Sequence, residues 1–423
     1  MLSANASSRS TVLSIYVPAF ILAAGISIAA PALPLYAKSF NVDFGTASMV
    51  LVVNQLGGLV STVPTGYLID RFGGRKMVLL GPILTGIASL LMAYAHSYPE
   101  LLIYRFVEGW AMQMWMIGRL EIITATGGNR RGTQITGMFA MDSAGRLMGP
   151  ALGGFVAGAF GLRAPFLLYG LIALISVVPS FVLVPEIPGG RKTRAASGDA
   201  PAQRGWRATL AIYSSLLTVP VLMLLCAQFL ASMTRGSLFG GTLDLYAVYV
   251  YGIGPQTVGL LAVAGGAIGL PLTFMSGRLM DRFGRRKIIG PGFCLLAVAL
   301  LVMSASAFGH WPFTSYVAVF LFARVSMSTV SGTMQVVGSD IAPPHARGAF
   351  FGMWGLIRNI GSFLSPATFA AMAQGLGFGA SFLLLSAMSL GTGIIMGTQI
   401  KETFKRSAPV PVGEPAVAVV QQS

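Results

Sequence analysis

Seven charged residues fall inside long apolar stretches: Arg105, Glu108, Asp142, Arg146, Arg235, Arg324 and Arg358. A charge at membrane depth marks a functional site by default. Two chemistries fit these residue types. A carboxyl whose proton exchanges near physiological pH can couple transport to a proton gradient; Glu108 and Asp142 are the candidates. Burial and a nearby arginine shift such a group in opposite directions. A guanidinium binds carboxylate or phosphate through its planar fork, which makes Arg105, Arg235, Arg324 and Arg358 substrate-binding candidates. The alternative is structural. Arg105 and Glu108 are three residues apart, Asp142 and Arg146 four, so each pair can close on its own helix. Arg235, Arg324 and Arg358 then remain without a local acid, which suggests an anionic or partly anionic substrate. Asn54, Gln113 and Gln335 are candidates to line the same space, or to hydrogen-bond between helices.

The elements that hold these residues are membrane helices. The 423-residue chain is 54% hydrophobic and 10% charged, against about 25% charged in soluble domains. No Asp, Glu, Lys or Arg occurs from Ser10 to Ala37, from Phe44 to Ile69 or from Met77 to Pro99, and about 20 apolar residues cross a bilayer as a helix. Twelve spans are predicted, at 11–37, 45–69, 77–96, 99–122, 133–159, 162–184, 219–247, 256–280, 288–308, 312–338, 347–373 and 377–400. The runs are continuous rather than alternating, which argues against a β-barrel. The apolar segment from Trp206 to Pro220 is expected to lie on the membrane surface.

Net charge is +15. With both termini on one side, the loop Lys and Arg residues, Arg119 counted among them, fall on that side except Lys38 and Arg163. Basic loops stay in the cytoplasm, so both termini are expected there, in a bacterial cytoplasmic membrane. The positive charge reads as topology, and no nucleic-acid partner is expected. Cys226 and Cys294 both lie in spans and offer no disulfide framework.

The chain repeats itself. GYLIDRFGGRK at 66–76 returns as GRLMDRFGRRK at 277–287, and LPLYA at 33–37 returns as LDLYA at 243–247. Arg131-Gly132 returns as Arg347-Gly348, 216 residues on, and the same offset relates Asp142 to Arg358, so opposite charges could face one another across a cavity. Two repeated bundles with a site between them are the build of many secondary transporters. The predicted organisation is an N-terminal six-helix bundle (1–184), a cytoplasmic linker (185–218), a C-terminal six-helix bundle (219–400) and a disordered tail (401–423).

At these motifs the sequence resembles the major facilitator superfamily, and within it the bacterial drug:proton antiporters. Gly66, Asp70, Arg71, Gly73, Arg75 and Lys76 match the family's signature turn between helices 2 and 3; Gly277, Asp281, Arg282, Gly284 and Arg285 repeat it. Gly74 stands where the second copy has Arg285. DIAPPHARG, with Asp340 and Arg347, resembles the turn into helix 11, and YRFVEG the helix 4 motif. Gly145, Gly149, Pro150, Gly153 and Gly154 match the helix 5 pattern associated with antiporters. The resemblance implies an all-α membrane protein with twelve helices in two pseudo-symmetric halves. It also implies a cytoplasmic gate in which Asp70 meets the start of helix 11 and Asp281 the start of helix 5. Gly66 is read as letting helix 2 approach a neighbour closely, and the helix 5 glycines as a close-packing face.

No Gly-Lys dipeptide occurs, so no P-loop is present, and no metal or nucleophile pattern stands out. No enzyme activity, cofactor or metal is expected. The reading is a monomeric secondary transporter in the lipid bilayer, exporting a small organic compound by proton antiport. The alternatives are a proton symporter or facilitator importing an organic anion, and a membrane sensor or scaffold that moves nothing. Helix 1 carries no acid, which weighs against a polyspecific cation exporter.

Overall fold

The computed structural model describes residues 15–126, 131–184, 217–239, 241–341 and 347–399, all helix and short connections with no strand among them. The predicted linker, the tail and nearly all of the predicted surface helix lie outside these residues. The helices are α1 (Val17–Ala29), α2 (Leu33–Lys38), α3 (Phe44–Phe72), α4 (Gly74–Ala93), α5 (Tyr98–Thr126), α6 (Arg131–Phe160), α7 (Ala164–Ile175) and α8 (Val177–Leu183). Then follow α9 (Val219–Phe239), α10 (Thr242–Tyr251), α11 (Pro255–Phe283), α12 (Arg285–Phe308), α13 (Phe313–Val330), α14 (Thr333–Ile341), α15 (Arg347–Leu376) and α16 (Phe378–Thr398).

Four spans are broken helices, so among the described residues sixteen helices make twelve crossings. Span 1 is α1 and α2, span 6 is α7 and α8, span 7 is α9 and α10, and span 10 is α13 and α14. The breaks in spans 1 and 7 fall just before the repeated LPLYA and LDLYA. Pro31 lies in the first and Pro34 in the first turn of the helix after it, and Gly241, at φ +92°, lies in the second. Several helices outrun a bilayer core of about 30 Å, since 29 or 30 residues at about 1.5 Å each reach roughly 44 Å. Eight crossings are long and apolar by composition alone. Three of the others, α5, α6 and α15, carry the membrane-depth charges Arg105, Glu108, Asp142, Arg146 and Arg358.

In the first half α5 packs between α3 and α4, and α6 against α1. In the second, α12 lies along α16 and α9 along α15. The halves meet along two seams, α6 against α11 and α3 against α15. Adding six to a span number exchanges the seams, which is the symmetry the repeat requires.

The signature turns are tight because glycine permits them. Gly73 and Gly284 hold φ of +84° and +95° between consecutive helices, a region that other residues enter at a cost.

Candidate functional site

The seams are closed on the side of the membrane away from the termini. Away from the termini, Lys38 Nζ donates to the Val248 carbonyl at 3.0 Å, and Tyr249 Oη donates to the Val42 carbonyl at 2.7 Å. Gln374 donates to the Asp43 carboxylate. Phe44 packs edge-on to Tyr249 and Phe378, with centroids 5.7 and 4.7 Å away. Asp43 also caps α3, accepting from the Gly45 and Thr46 amides. The Thr46 hydroxyl, first among several donors, holds its carboxyl below the usual carboxylate range.

Moving toward the termini, the α6–α11 seam stays tight through Gly154 against Pro255 and Gly259 against Pro150, to Gly266 against Leu147. Farther on, a Cβ added at Gly277 would meet nothing within 4 Å among the described residues, and the same holds at Gly66 on the other seam. The expected close approach at Gly66 is absent among the described residues. Asp70 is exposed to solvent. The side chains of Asp281, Arg347, Gly132 and Gly348 lie outside what the structure describes. Other motif residues bond within their own half. Arg75 donates to the Phe181 carbonyl at 2.9 Å, Arg71 to the Tyr67 hydroxyl at 3.5 Å, and Arg285 pairs with Asp340 at 2.6 Å. Arg282 lies over the Phe283 ring at 5.2 Å.

Between the halves lies a cavity of about 240 Å³. Its first-half wall includes Asn54, Arg105, Glu108, Arg146, Phe166 and Tyr169; its second-half wall includes Asp244 and Leu245. Arg105 pairs with Glu108 on α5 and donates Nε to the Val50 carbonyl at 3.3 Å. Asn54 reaches from α3, donating to the Arg105 carbonyl at 3.1 Å and to Glu108 Oε2 at 3.5 Å. Glu108 is 3% exposed, and Tyr169 stands in electrostatic contact with it.

Asp142 does not pair with Arg146. Its two carboxylate oxygens accept from Nη1 and Nη2 of Arg119 at 3.2 and 3.3 Å, tying α6 to α5. Arg119, placed in a loop by charge counting, is 2% exposed inside α5 and stacks on Trp115. The physical reason is that α5 runs on to Thr126 without a break. The fork and the ring therefore bury a charge that composition alone assigns to water. Asp142 is also not free to face Arg358 across the cavity.

Arg146 and Arg358 are exposed, and among the described residues neither has a hydrogen-bond or ion-pair partner. Arg235, on α9, lies within electrostatic range of both. Arg324 sits over Phe320 and within range of Asp244. Gln113 Nε2 donates to Thr62 at 3.4 Å, an interhelical bond, and Gln335 is exposed. Gly145, Gly149 and Gly153 take the backbone of α1 at distances that a Cβ would close, while Gly154 faces α11.

The sequence reading missed Tyr169 and the Asp43–Gln374 and Lys38–Val248 contacts. A tyrosine in an apolar run and contacts between distant loops leave no spacing signal.

Two pseudo-symmetric membrane bundles closing around a polar cavity define a transporter of the secondary class. The sequence profile of the Major Facilitator Superfamily matches residues 15–366 and 224–418, and the chain belongs to that family. The quinolone resistance protein NorA of Staphylococcus aureus is 22% identical over 361 residues, covering 85% of this chain and 88% of its own. An uncharacterized MFS-type transporter of Methanocaldococcus jannaschii is 22% identical over 393 residues, covering 92% and 97%. Among solved structures, a D-xylose-proton symporter superposes with a TM-score of 0.73 at 17% identity, over 93% of this chain and 98% of that one. The inward-open xylose transporter XylE from E. coli gives 0.71 at 16%, over 92% and 97%.

Proposed function

We propose that the protein exports a small organic compound by proton antiport, through alternating access of the central cavity. It acts as a monomer in a bacterial cytoplasmic membrane with both termini cytoplasmic. The observation that carries this reading is the cavity between the halves, shut away from the termini by the Lys38, Asp43 and Tyr249 contacts, while on the basic side nothing among the described residues packs on Gly66 or Gly277. The basic side is cytoplasmic by the charge rule, so the cavity receives its cargo from the cell interior. Likeness to a quinolone resistance protein supports export.

Glu108 is the favoured proton carrier, because it lines the cavity while Asp142 is engaged by Arg119. In everted vesicles acidified inside, the substrate accumulates and a protonophore abolishes the accumulation. Glu108→Gln removes the pH-driven component and leaves substrate binding in place. Undiminished accumulation in that variant overturns the assignment. In the alternate state, Asp70 and Asp281 meet the starts of α15 and α6 and close the basic side. Full transport by Asp70→Asn would sink that gate.

A second reading, import of an organic anion with protons, is supported by Arg146 and Arg358, which have no carboxylate partner among the described residues. Uptake into right-side-out vesicles driven by external acid would select it.

A further inference from the structure

We propose that the first half binds the phosphate of an anionic phospholipid headgroup in a recess on the side away from the termini, apart from the central cavity, with Arg163 as the anion ligand.

The recess holds about 570 Å³, and Tyr36, Ser39, Phe40, His96, Phe160 and Arg163 line it. They come from the ends of α2, α4 and α6 and the turn into α7, all in the first half. No carboxylate is among the described residues that line it. Glu100, four residues past His96, accepts instead from the His96 amide and the Ser97 hydroxyl, at 3.0 Å each. Tyr36 Oη donates to the Met92 carbonyl at 2.8 Å, so toward the recess it only accepts, and Arg163 donates to it. One donor of five is used in that way. Arg163 is exposed and forms no ion pair among the described residues. The other loop cation on this side, Lys38, is engaged across the halves by the Val248 carbonyl.

The internal repeat shows that the recess is not a by-product of the fold. The register that relates Arg131-Gly132 to Arg347-Gly348 sets GLRAPF at 161–166 against GFGASF at 377–382. Gly161 and Gly377 turn alike, at φ +89° and +87°. Arg163 then stands opposite Gly379, where the Phe308 ring leaves no room for a Cβ. Tyr36 stands opposite Tyr246, whose ring packs on Tyr316, Phe378 and Phe382. The second half fills this corner with rings, and the first keeps it open and cationic.

The surroundings identify the ligand's source. Leu91 and Tyr94 at the end of α4, Phe155 and Phe160 on α6 and Leu171 on α7 are exposed apolar side chains. Helices clad in this way face lipid, and tyrosine marks the headgroup level. Basic pockets between membrane helices hold lipid phosphates, and the guanidinium fork suits a phosphate ester. His96 adds a ring N–H. A cationic site without an acid favours a headgroup that carries no ammonium.

The test labels Ser39→Cys with N-ethylmaleimide in the full chain, with Cys226→Ser and Cys294→Ser removing the native thiols. The protein sits in nanodiscs of phosphatidylcholine, with or without phosphatidylglycerol. Thr314→Cys, exposed on the same side of the second half, is the control site. We expect phosphatidylglycerol to slow labelling at Ser39→Cys and leave Thr314→Cys unchanged. Arg163→Gln raises the phosphatidylglycerol content needed for half protection by about tenfold, the loss of a charge-assisted bond. Arg163→Lys, which keeps the charge and loses the fork, falls between and serves if the Gln variant folds poorly. Glycerol phosphate added to phosphatidylcholine nanodiscs is the soluble match. Protection by it as strong as that by phosphatidylglycerol assigns the recess to a soluble phosphate ester and overturns the lipid. Equal slowing at Thr314→Cys, protection that survives Arg163→Gln, or no protection by phosphatidylglycerol overturns the proposal.

Discussion

The two halves share a fold and differ in how they treat charge. In the first, every membrane-depth acid has a bonded arginine: Glu108 has Arg105, and Asp142 has Arg119. In the second, aligning Arg105 with Arg324 puts Met327 in the register of Glu108 and Gly338 in that of Arg119, while Arg358 takes that of Asp142. The second half's own acid, Asp244, comes from α10, where the first half has Pro34. Architecture is thus indifferent to these charges, since one backbone plan accommodates opposite arrangements. The difference is one of pairing: the first half neutralises Glu108 and Asp142 internally, while Arg358 of the second has no ion-pair partner among the described residues.

The largest effect is expected where the halves differ most. Asp142→Ala leaves the Arg119 guanidinium buried and unpaired, and breaking such a pair costs about 3–5 kcal/mol. Arg119→Met costs less, because Asp142 is partly open to solvent (15% against 3% for the Arg119 side chain). The double variant Arg119→Met, Asp142→Leu recovers most of the loss, as apolar replacements of buried pairs often do. Arg358→Met, at the repeat-equivalent position, leaves the unliganded protein as stable as before. Melting temperatures of these four variants decide the matter. Equal losses for Asp142→Ala and Arg358→Met would erase the contrast between the halves.

A second contrast lies at the signature turns. The Glu121 carboxylate sits at the start of α4, where a Cβ on Gly74 would collide with it. In the second copy Arg285 takes the glycine's place and pairs with Asp340. Gly74→Ala is therefore expected to destabilise by about 1–3 kcal/mol through overpacking. Arg285→Ala loses a partly solvated ion pair, for which about 1 kcal/mol or less is usual. Should Gly74→Ala be neutral, Glu121 rotates away freely and the glycine has no packing role.

Much of this was legible in the sequence. Charge-free runs located the crossings because a bilayer core admits few charges, and the 66–76 and 277–287 repeat revealed the two halves. The Arg105–Glu108 pair followed from helical spacing alone. Arg119–Asp142 did not, because it joins two helices whose relative rotation no local pattern encodes; helical spacing pointed to Arg146 instead. Gly74 was visible as a departure from its repeat, but its cause, Glu121, lies 47 positions on. The contacts that close the side away from the termini were illegible for the same reason: Asp43 and Gln374 meet only when the halves assemble.

The smallest expected effect tests that outer closure. Asp43 bonds to the Thr46 hydroxyl, to two amides of α3 and, across the halves, to Gln374. These bonds favour the charged carboxylate and depress its pKa in the closed state. A group whose folded pKa is depressed contributes fully above its unfolded value, about 3.9 for Asp, and loses that contribution as pH falls through the folded value. Only the Gln374 bond depends on closure, since the Thr46 and amide bonds lie at the start of α3 itself, so closure is undiminished at neutral pH and weakens slightly only below about pH 4. Because Asp43 is largely solvated, the shift is modest, and Lys38, Tyr249 and the Phe44 ring contacts remain. Thiol labelling of Val42→Cys from the outer side, compared at pH 7 and after a brief acid pulse, reads the opening. Labelling should rise with acid in the otherwise native protein. It should stay constant when Asp43→Asn is added, since that residue does not titrate. An acid response that survives Asp43→Asn would move the pH sensitivity to another group.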